Sequence, residues 1–357
     1  MWRNTCRILN HLIDKLEADR LLKKEEFVLL LNNLSDPLLK YASGKARKTA
    51  HQQFGNKIYI RGLIEVSNYC VNDCYYCGIR KSNRAALRYR LKKEDILSCC
   101  SEGYKLGFRT FVLQGGEDPY YNDSILTDII SEIKRQYPDC AVTLSLGERS
   151  RESYKRLYDA GADRYLLRHE TADEEHYGRL HPPAQTLKSR MDCLQALKEI
   201  GYQTGTGFMV GSPWQTNQNL AEDLIYIKEL SPAMIGIGPF IPHHDTSFAD
   251  RPAGPLEKTV FLISLLRLML PDALLPSTTA LATIHPEGRE KGILAGANVV
   301  MPNLSPHHAR EKYMLYDNKA STGNEAAESI ENLRRQLAGI GYEIAVDRGD
   351  YRPAALR

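Results

Sequence analysis

Three thiols carry the strongest chemical signal in the chain. Cys70-Val-Asn-Asp-Cys74-Tyr-Tyr-Cys77 has the spacing C-x3-C-x2-C. Three thiolates on one short loop can wrap one side of an iron–sulfur cube, in which every iron needs a ligand. The triad therefore leaves one iron open to a small-molecule chelator. A structural zinc ion would need a closed set of four ligands. The next cysteines, Cys99 and Cys100, fall within a helical pattern instead. The spacing favours a [4Fe–4S] cluster with an open iron over zinc or a bystander role.

Gln114-Gly115-Gly116-Glu117 combines glycines, which permit close backbone approach, with a carboxylate able to face an ammonium group. A plain tight turn would use the same glycines. Other features carry less. Gly205-Thr-Gly207-Phe-Met-Val-Gly211 has the wrong spacing for a dinucleotide loop and lies within a strand pattern. His243-His244-Asp245 and His307-His308 hold adjacent pairs whose side chains should diverge, which argues against a metal site. Cys6, Cys140 and Cys193 stand alone and read as small packed hydrophobes.

These groups need elements to position them. The 357 residues balance 47 Lys+Arg against 44 Asp+Glu, a net +3, with 43% hydrophobic and 25% charged residues. That balance indicates a packed globule and excludes a nucleic-acid footprint or a disordered chain. No run of about 18 apolar residues could span a membrane. The stretch 260–275, broken by Arg267, Pro271 and Asp272, reads as a buried helix. Charges throughout 1–20 argue against a signal peptide. The cysteines are therefore expected to be reduced, in the cytoplasm.

The first fifty or so residues read as helical, with Leu9, Leu12, Ile13 and Leu16 on one face. Ser35-Asp36-Pro37 starts a new helix that runs to about His51. From Lys57, short apolar runs alternate with helical stretches: 59–66, 110–113, 141–146, 164–167, 206–210, 234–237, 275–279 and 298–301. Gly107, Gly161, Gly201 and Gly296 each close a helix just before a strand. Glycine or polar groups follow nearly every strand and converge only if the sheet closes. The expected fold class is α/β, a (β/α)8 TIM barrel over 56–310. An N-terminal helical extension covers 1–55. A C-terminal segment, 311–357, carries a helix at 325–337 and closes or flanks the barrel. An open doubly wound sheet is the rival.

The cysteine spacing after the first strand resembles the signature of the radical S-adenosylmethionine (SAM) superfamily. The resemblance implies that Cys70, Cys74 and Cys77 hold one [4Fe–4S] cluster and that SAM chelates the open iron. Reductive cleavage of SAM would yield a 5′-deoxyadenosyl radical. By the same resemblance, Tyr76 contacts adenine, Gly115, Gly116, Glu117 and Ser145 bind the cofactor, Glu170 accepts from its ribose or amino group, and Arg190 holds its carboxylate.

Longer strings narrow the match. Thr143-Leu144-Ser145-Leu146-Gly147-Glu148, Arg164-Tyr165-Leu166-Leu167-Arg168-His169-Glu170-Thr171, Gly238-Pro239-Phe240-Ile241-Pro242-His243 and Ala297-Asn298-Val299-Val300-Met301-Pro302-Asn303 resemble the HydE family of [FeFe]-hydrogenase maturases. That resemblance covers roughly 45–345. It implies work on the diiron subcluster of the hydrogenase, with a small cysteine-bearing iron–carbonyl–cyanide complex as substrate. Arg168 would grip its carboxylate, with Thr278 and Thr279 as hydrogen-bond partners and Met301 and Tyr316 lining the deep end of the cavity. Arg168 and Glu170, two apart in an extended segment, should face the cavity together while His169 turns away. Other maturases and an electron donor are expected as transient partners; nucleic acid and membrane are not. Some relatives hold a second cluster near the C-terminus, but no cysteine follows Cys193 here, so none is expected. The rivals are a methylornithine synthase, a biotin synthase-like enzyme, or a non-catalytic iron–sulfur carrier. The last would leave 115–117, Glu170 and Arg190 without a role.

Overall fold

Helices Trp2–Asp19, Lys24–Asn32 and Asp36–Phe54 lead the chain in the computed structural model, which describes residues 2–319 and 326–353. Leu9, Leu12, Ile13 and Leu16 form the buried face, as their spacing requires. With Phe27 and Leu30 they join helix Leu256–Met269 in one apolar core. The sequence reading ran through one break: the chain turns at Arg20, whose φ is +60° and whose Nη1 donates to Leu268 O at 2.9 Å.

The strands are β1 (Lys57–Ile60), β2 (Gly62–Ser67), β3 (Thr110–Gly115), β4 (Ala141–Ser145), β5 (Arg164–Leu166), β6 (Gln203–Thr206), β7 (Met209–Val210), β8 (Met234–Ile235), β9 (Gly238–Pro239), β10 (Val299–Val300) and β11 (Glu343–Ala345). The order β2-β3-β4-β5-β6-β8 is parallel throughout. Single parallel bridges carry the ring onward, Met234 to Leu274 and Pro276 to Val299. β10 then pairs with β1, and Leu63 meets Asn303. The sheet closes, so the open doubly wound alternative is excluded. Gly107, Gly161, Gly201 and Gly296 all take the left-handed conformation that turns each helix into the next strand.

Three strand expectations need correction. The run 59–66 splits at Arg61, so β1 pairs with β10 and β11 while β2 pairs with β3. The run 206–210 is two short strands, and the first begins at Gln203. The run 275–279 is reduced to the two bridges, because Pro276 has no N–H to donate and Thr278 already sits at the N-cap of helix Thr279–Ile284. Helix Ala326–Gly339 follows the expected 325–337, whose first residue lies outside the described residues.

β11 went unforeseen. It pairs with β1, and the turn beyond it covers the N-terminal ends of the barrel strands. Thr110 Oγ1 donates to Arg348 O (2.8 Å). Arg164 Nη2 and Gln203 Nε2 both reach Asp350 Oδ1 (2.7 and 2.9 Å). With that mouth closed, chemistry is left to the other, where the strands end.

Candidate active site

The cysteines sit in the loop after β2, which is held in shape by buried polar groups. Asn68 accepts from Tyr89 N (2.8 Å) and donates to the carbonyls of Leu87 and Lys312 (2.9 and 2.7 Å). Arg88 donates to the carbonyls of Ile79 and Asn83 (2.8 and 3.0 Å). Asp118 takes a forked bond from Arg90 (2.7 and 2.9 Å) and one from Ser67 (2.6 Å). Burial raises all three thiols, Cys74 to about 12, and the sulfurs of Cys74 and Cys77 are raised further by their cysteine neighbours. Such a group becomes a thiolate set only against a compensating metal charge.

A group able to hold one metal ion brings its ligand atoms within 4.8 Å of one another. Among the described residues, His243, His244 and Asp317 do come that close. The expected divergence of the adjacent histidines fails: their rings stack with centroids 4.4 Å apart, and His244 Nδ1 lies 2.7 Å from Asp317 Oδ1. However, Asp245 N donates to His243 Nδ1 (3.0 Å). That leaves the proton of the neutral ring on Nε2, the nitrogen facing Asp317, and removes it as a ligand.

Gly116 is where β3 passes the cysteine loop. A Cβ there would lie 2.3 Å from Tyr69 O and 2.8 Å from Cys70 Cβ. Gly115, more loosely packed, would meet Ser67 O at 3.1 Å. The glycines thus serve the crossing of the two loops directly. Glu117 lies on Gly147, where a Cβ would stand 2.0 Å from Glu117 Cγ. Glu117 accepts from Glu148 N (2.9 Å), and burial raises its carboxyl. Ser145 is paired in register with Gln114 at the end of β4.

Arg190, on helix Leu187–Ile200, is buried. Its Nε bonds Glu148 Oε1 (2.6 Å) and its Nη1 bonds Arg168 O (2.7 Å). His181 Nδ1 lies 3.0 Å from Tyr177 O, which can only accept, so Nε2 accepts the Tyr76 hydroxyl proton at 3.2 Å. Glu148 and His181 were missed as partners by the sequence reading.

Arg168 and Glu170 face each other, with Nη2 and Oε2 3.1 Å apart. Neither atom has a well-aligned hydrogen bond, nor does Arg168 Nε. His169 turns the other way, to Thr206 Oγ1 (2.8 Å) and Asp223 Oδ1 (3.3 Å). Glu170 has φ +66°, uncommon for a residue with a side chain, and its N–H is fixed on Gly207 O (3.0 Å). Thr278 Oγ1 is buried without a partner, and Thr279 O accepts from Thr283 Oγ1 (3.0 Å). Met301 packs on Met234, Leu274 and Val299. The Tyr316 hydroxyl bonds Thr283 and is raised to about 12, first by burial, with Arg168 close enough to oppose the shift. Lys319, also unforeseen, forms a buried ion pair with Glu65, which takes a second bond from Asn303 (2.9 Å). A charged residue between Ile64 and Val66 in a wholly buried strand was a readable signal. Lys319 offered none.

Arg168 Nε and Thr278 Oγ1, buried without partners beside the Arg168–Glu170 ion pair, fit a polar ligand, and the cysteine set fits an iron–sulfur cluster. The sequence model of the Radical SAM superfamily matches residues 64–227. The [FeFe] hydrogenase maturase subunit HydE of Thermotoga maritima is 41% identical over 345 residues, 97% of each chain. The chain belongs to the HydE family of radical SAM enzymes. A cluster and SAM are the cofactors of that chemistry. A 3-methylornithine synthase of Methanosarcina acetivorans is 27% identical over 91% of each chain. A crystal structure of methylornithine synthase superposes with TM-score 0.81 at 26% identity, covering 94% of this chain and 97% of that one. A structure of HydG shares the fold with TM-score 0.80 at 22% identity, covering 96% and 76%. Among the described residues, no helix is long and apolar enough to cross a membrane.

Proposed function

We propose that this enzyme acts in [FeFe]-hydrogenase maturation on a small organometallic substrate, a cysteine-bearing iron–carbonyl–cyanide complex. The observation that carries the reading is Arg168, whose Nε and Nη2 have no well-aligned partner at the ends of the barrel strands. When bound, the cluster and SAM supply a carbon radical by reductive cleavage. Around them the chain binds and orients. Arg168 takes the substrate carboxylate in two parallel N–H···O bonds. Thr278 Oγ1, Thr279 and the Tyr316 hydroxyl offer further contacts, and Met301 supplies an apolar wall. Glu117 and Glu170 accept from the cofactor's ammonium and ribose. Arg190, bonded to Glu148, turns its remaining donors to the cofactor carboxylate, and His181 holds Tyr76 for adenine. The Glu65–Lys319 pair keeps 303–319 across the barrel, which excludes water from a radical site. The other maturases and an electron donor are transient partners. The cytoplasm suits the eight free cysteines.

The test is to reconstitute the protein with iron and sulfide, reduce it, and add SAM with the iron–cysteine complex. We expect 5′-deoxyadenosine or adenosylated products that depend on the complex. Cleavage of SAM with no change in the complex would overturn the substrate. Formation of methylornithine from lysine would favour the synthase instead.

A further inference from the structure

Glu170 takes a left-handed conformation, φ +66°, that a side chain disfavours. Such a conformation persists only where its surroundings over-determine it. The restraint comes from both sides of the residue. Before it, the His169 ring is pinned between Thr206 Oγ1 (2.8 Å) and Asp223 Oδ1 (3.3 Å). At Glu170 itself, the backbone N–H donates to Gly207 O (3.0 Å). After it, Ala172 N donates to Asp223 Oδ1 at 2.6 Å. One carboxylate oxygen, 54 positions beyond His169 and 51 beyond Ala172, therefore grips the chain on either side of Glu170.

Packing alone gives no reason for a carboxylate at this place. Asp223 stands on helix Asn217–Leu230 among Leu220, Ala221, Leu224 and Ile227, the buried residues of that helix, and is itself fully buried. A carboxylate there is costly unless it is paired or hydrogen-bonded, and burial raises it. Oδ2 finds no hydrogen-bond partner, so that compensation rests on Oδ1 and its two donors. Thr206, His169 and Asp223 form a hydroxyl–imidazole–carboxylate row, the groups of a nucleophilic triad. All three are wholly buried, so no substrate reaches the hydroxyl. The row can hold the chain but not react.

We propose that Asp223 is a positioning residue for the cofactor, which holds Glu170 in its left-handed turn with the carboxylate aimed at Arg168. The proposal deepens the reading of Glu170 as a cofactor ligand and rests on it. Arg190 Nη1 fixes the carbonyl of Arg168 on the same segment (2.7 Å), so the backbone of 168–172 is held at three places while the Arg168 and Glu170 side chains face each other. Released from Asp223, the segment relaxes toward the conformations a glutamate prefers, and the Glu170 carboxylate leaves its place. The cysteine loop follows β2, on the far side of β3 and β4, and stays as it was. The loss therefore falls on SAM binding and not on the cluster.

The test uses reconstituted, reduced protein with SAM as the probe. Asp223→Ala removes the grip. Asp223→Asn keeps an oxygen of the same shape for Ala172 N and His169. Leu224→Ala, next to it on the helix, controls for lost packing alone. SAM binding is read from the change it causes in the electron paramagnetic resonance signal of the reduced cluster, with iron content and urea midpoint measured on the same samples. We expect Asp223→Ala to keep its iron and to need about tenfold more SAM for half the signal change, the effect of one weakened contact to a charged group. Its cleavage rate should recover at saturating SAM. Asp223→Asn should bind SAM nearly as wild type does, and Leu224→Ala should lose midpoint without shifting the titration. Equal SAM affinity in Asp223→Ala and wild type overturns the proposal, as does an equal shift in Leu224→Ala. Glu170→Ala separates the two claims. If it weakens SAM binding while Asp223→Ala does not, Glu170 remains a cofactor ligand and the grip falls. If it leaves SAM binding unchanged, the cofactor reading falls and the proposal with it. Should Asp223→Ala not fold, Thr206→Val removes the other partner of His169 at constant shape, and an unchanged SAM titration in that variant overturns the proposal.

Discussion

At the scale of single residues, Arg168 and Arg190 look alike in charge and differ in duty. Arg168 has unaligned donors beside Glu170, whereas Arg190 spends its Nε on Glu148 and its Nη1 on the backbone of Arg168. Arg168→Lys keeps the charge and loses the planar fork. Losing one charge-assisted contact costs about 1.5–3 kcal/mol, or roughly tenfold to a hundredfold in rate. Hydrogenase activity after in vitro maturation should fall by that factor, while slow uncoupled formation of 5′-deoxyadenosine persists. Arg190→Lys should depress both, because it loosens the cofactor side and the Arg168 carbonyl together. Maturation at the normal rate by Arg168→Lys would sink the assignment. Type and spacing alone nominated the cysteine triad, whereas Arg168 and Glu170 came from the family resemblance, and spacing added only that residues two apart in an extended segment share a face. Glu148, His181 and Lys319 gain their roles from partners 42, 105 and 254 positions away, and no local pattern announces such a partner.

At the scale of elements, the crossing of β3 and the cysteine loop depends on a missing side chain. A Cβ on Gly116 would meet backbone at 2.3 Å, and a backbone oxygen cannot swing aside as a flexible side chain would. Gly116→Ala must therefore move the cysteine loop. Iron and sulfide per chain should drop well below the four of one cluster, with thermal stability lowered less severely. Gly44→Ala is the control: nothing lies within 4 Å of the added group in the interior of helix Asp36–Phe54, so iron content should hold and stability rise by about 0.5–1 kcal/mol. A fully loaded Gly116→Ala would show that the crossing is not why glycine stands there. The alternation of strands and helices was legible because hydrophobic period and glycine caps are local. The split at Arg61 and the reduction of the seventh strand were not, because pairing on one stave depends on what its neighbours offer.

At the scale of the whole molecule, the barrel is sealed at one end by its own C-terminus, and both the seal and the buried histidines respond to acid. β11 is three residues long and without strong alternation, so its docking on β1 could not be read from the chain. Arg164 is fully buried at the seal and faces Asp350. Burial pushes the Asp350 carboxyl up, but Arg164, Gln203 and Arg348 together outweigh it and hold it below its usual value. Asp350→Ala leaves Arg164 buried without that partner and should cost about 3 kcal/mol, read as a lower unfolding midpoint in urea. His181 acts in a different window. Burial lowers it to about 3, from about 6.5 in an unfolded chain. Between those values the unfolded chain takes up a proton that the folded one refuses. Stability is therefore fully present above about pH 6.5 and declines as pH falls toward 3, by about 1.4 kcal/mol per pH unit for this one group. His176, also lowered by burial, adds in the same direction. Asp350 begins to lose its contribution only near and below the unfolded carboxyl value of about 3.9. Unfolding midpoints measured from pH 7.5 down to 5 should fall for wild type. His181→Gln retains an amide for the Tyr76 and Tyr177 contacts but cannot titrate, so it should start from a lower midpoint and decline less steeply. An identical slope in the variant would mean that His181 is protonated in the folded protein, and that Tyr76 is not held by the neutral ring.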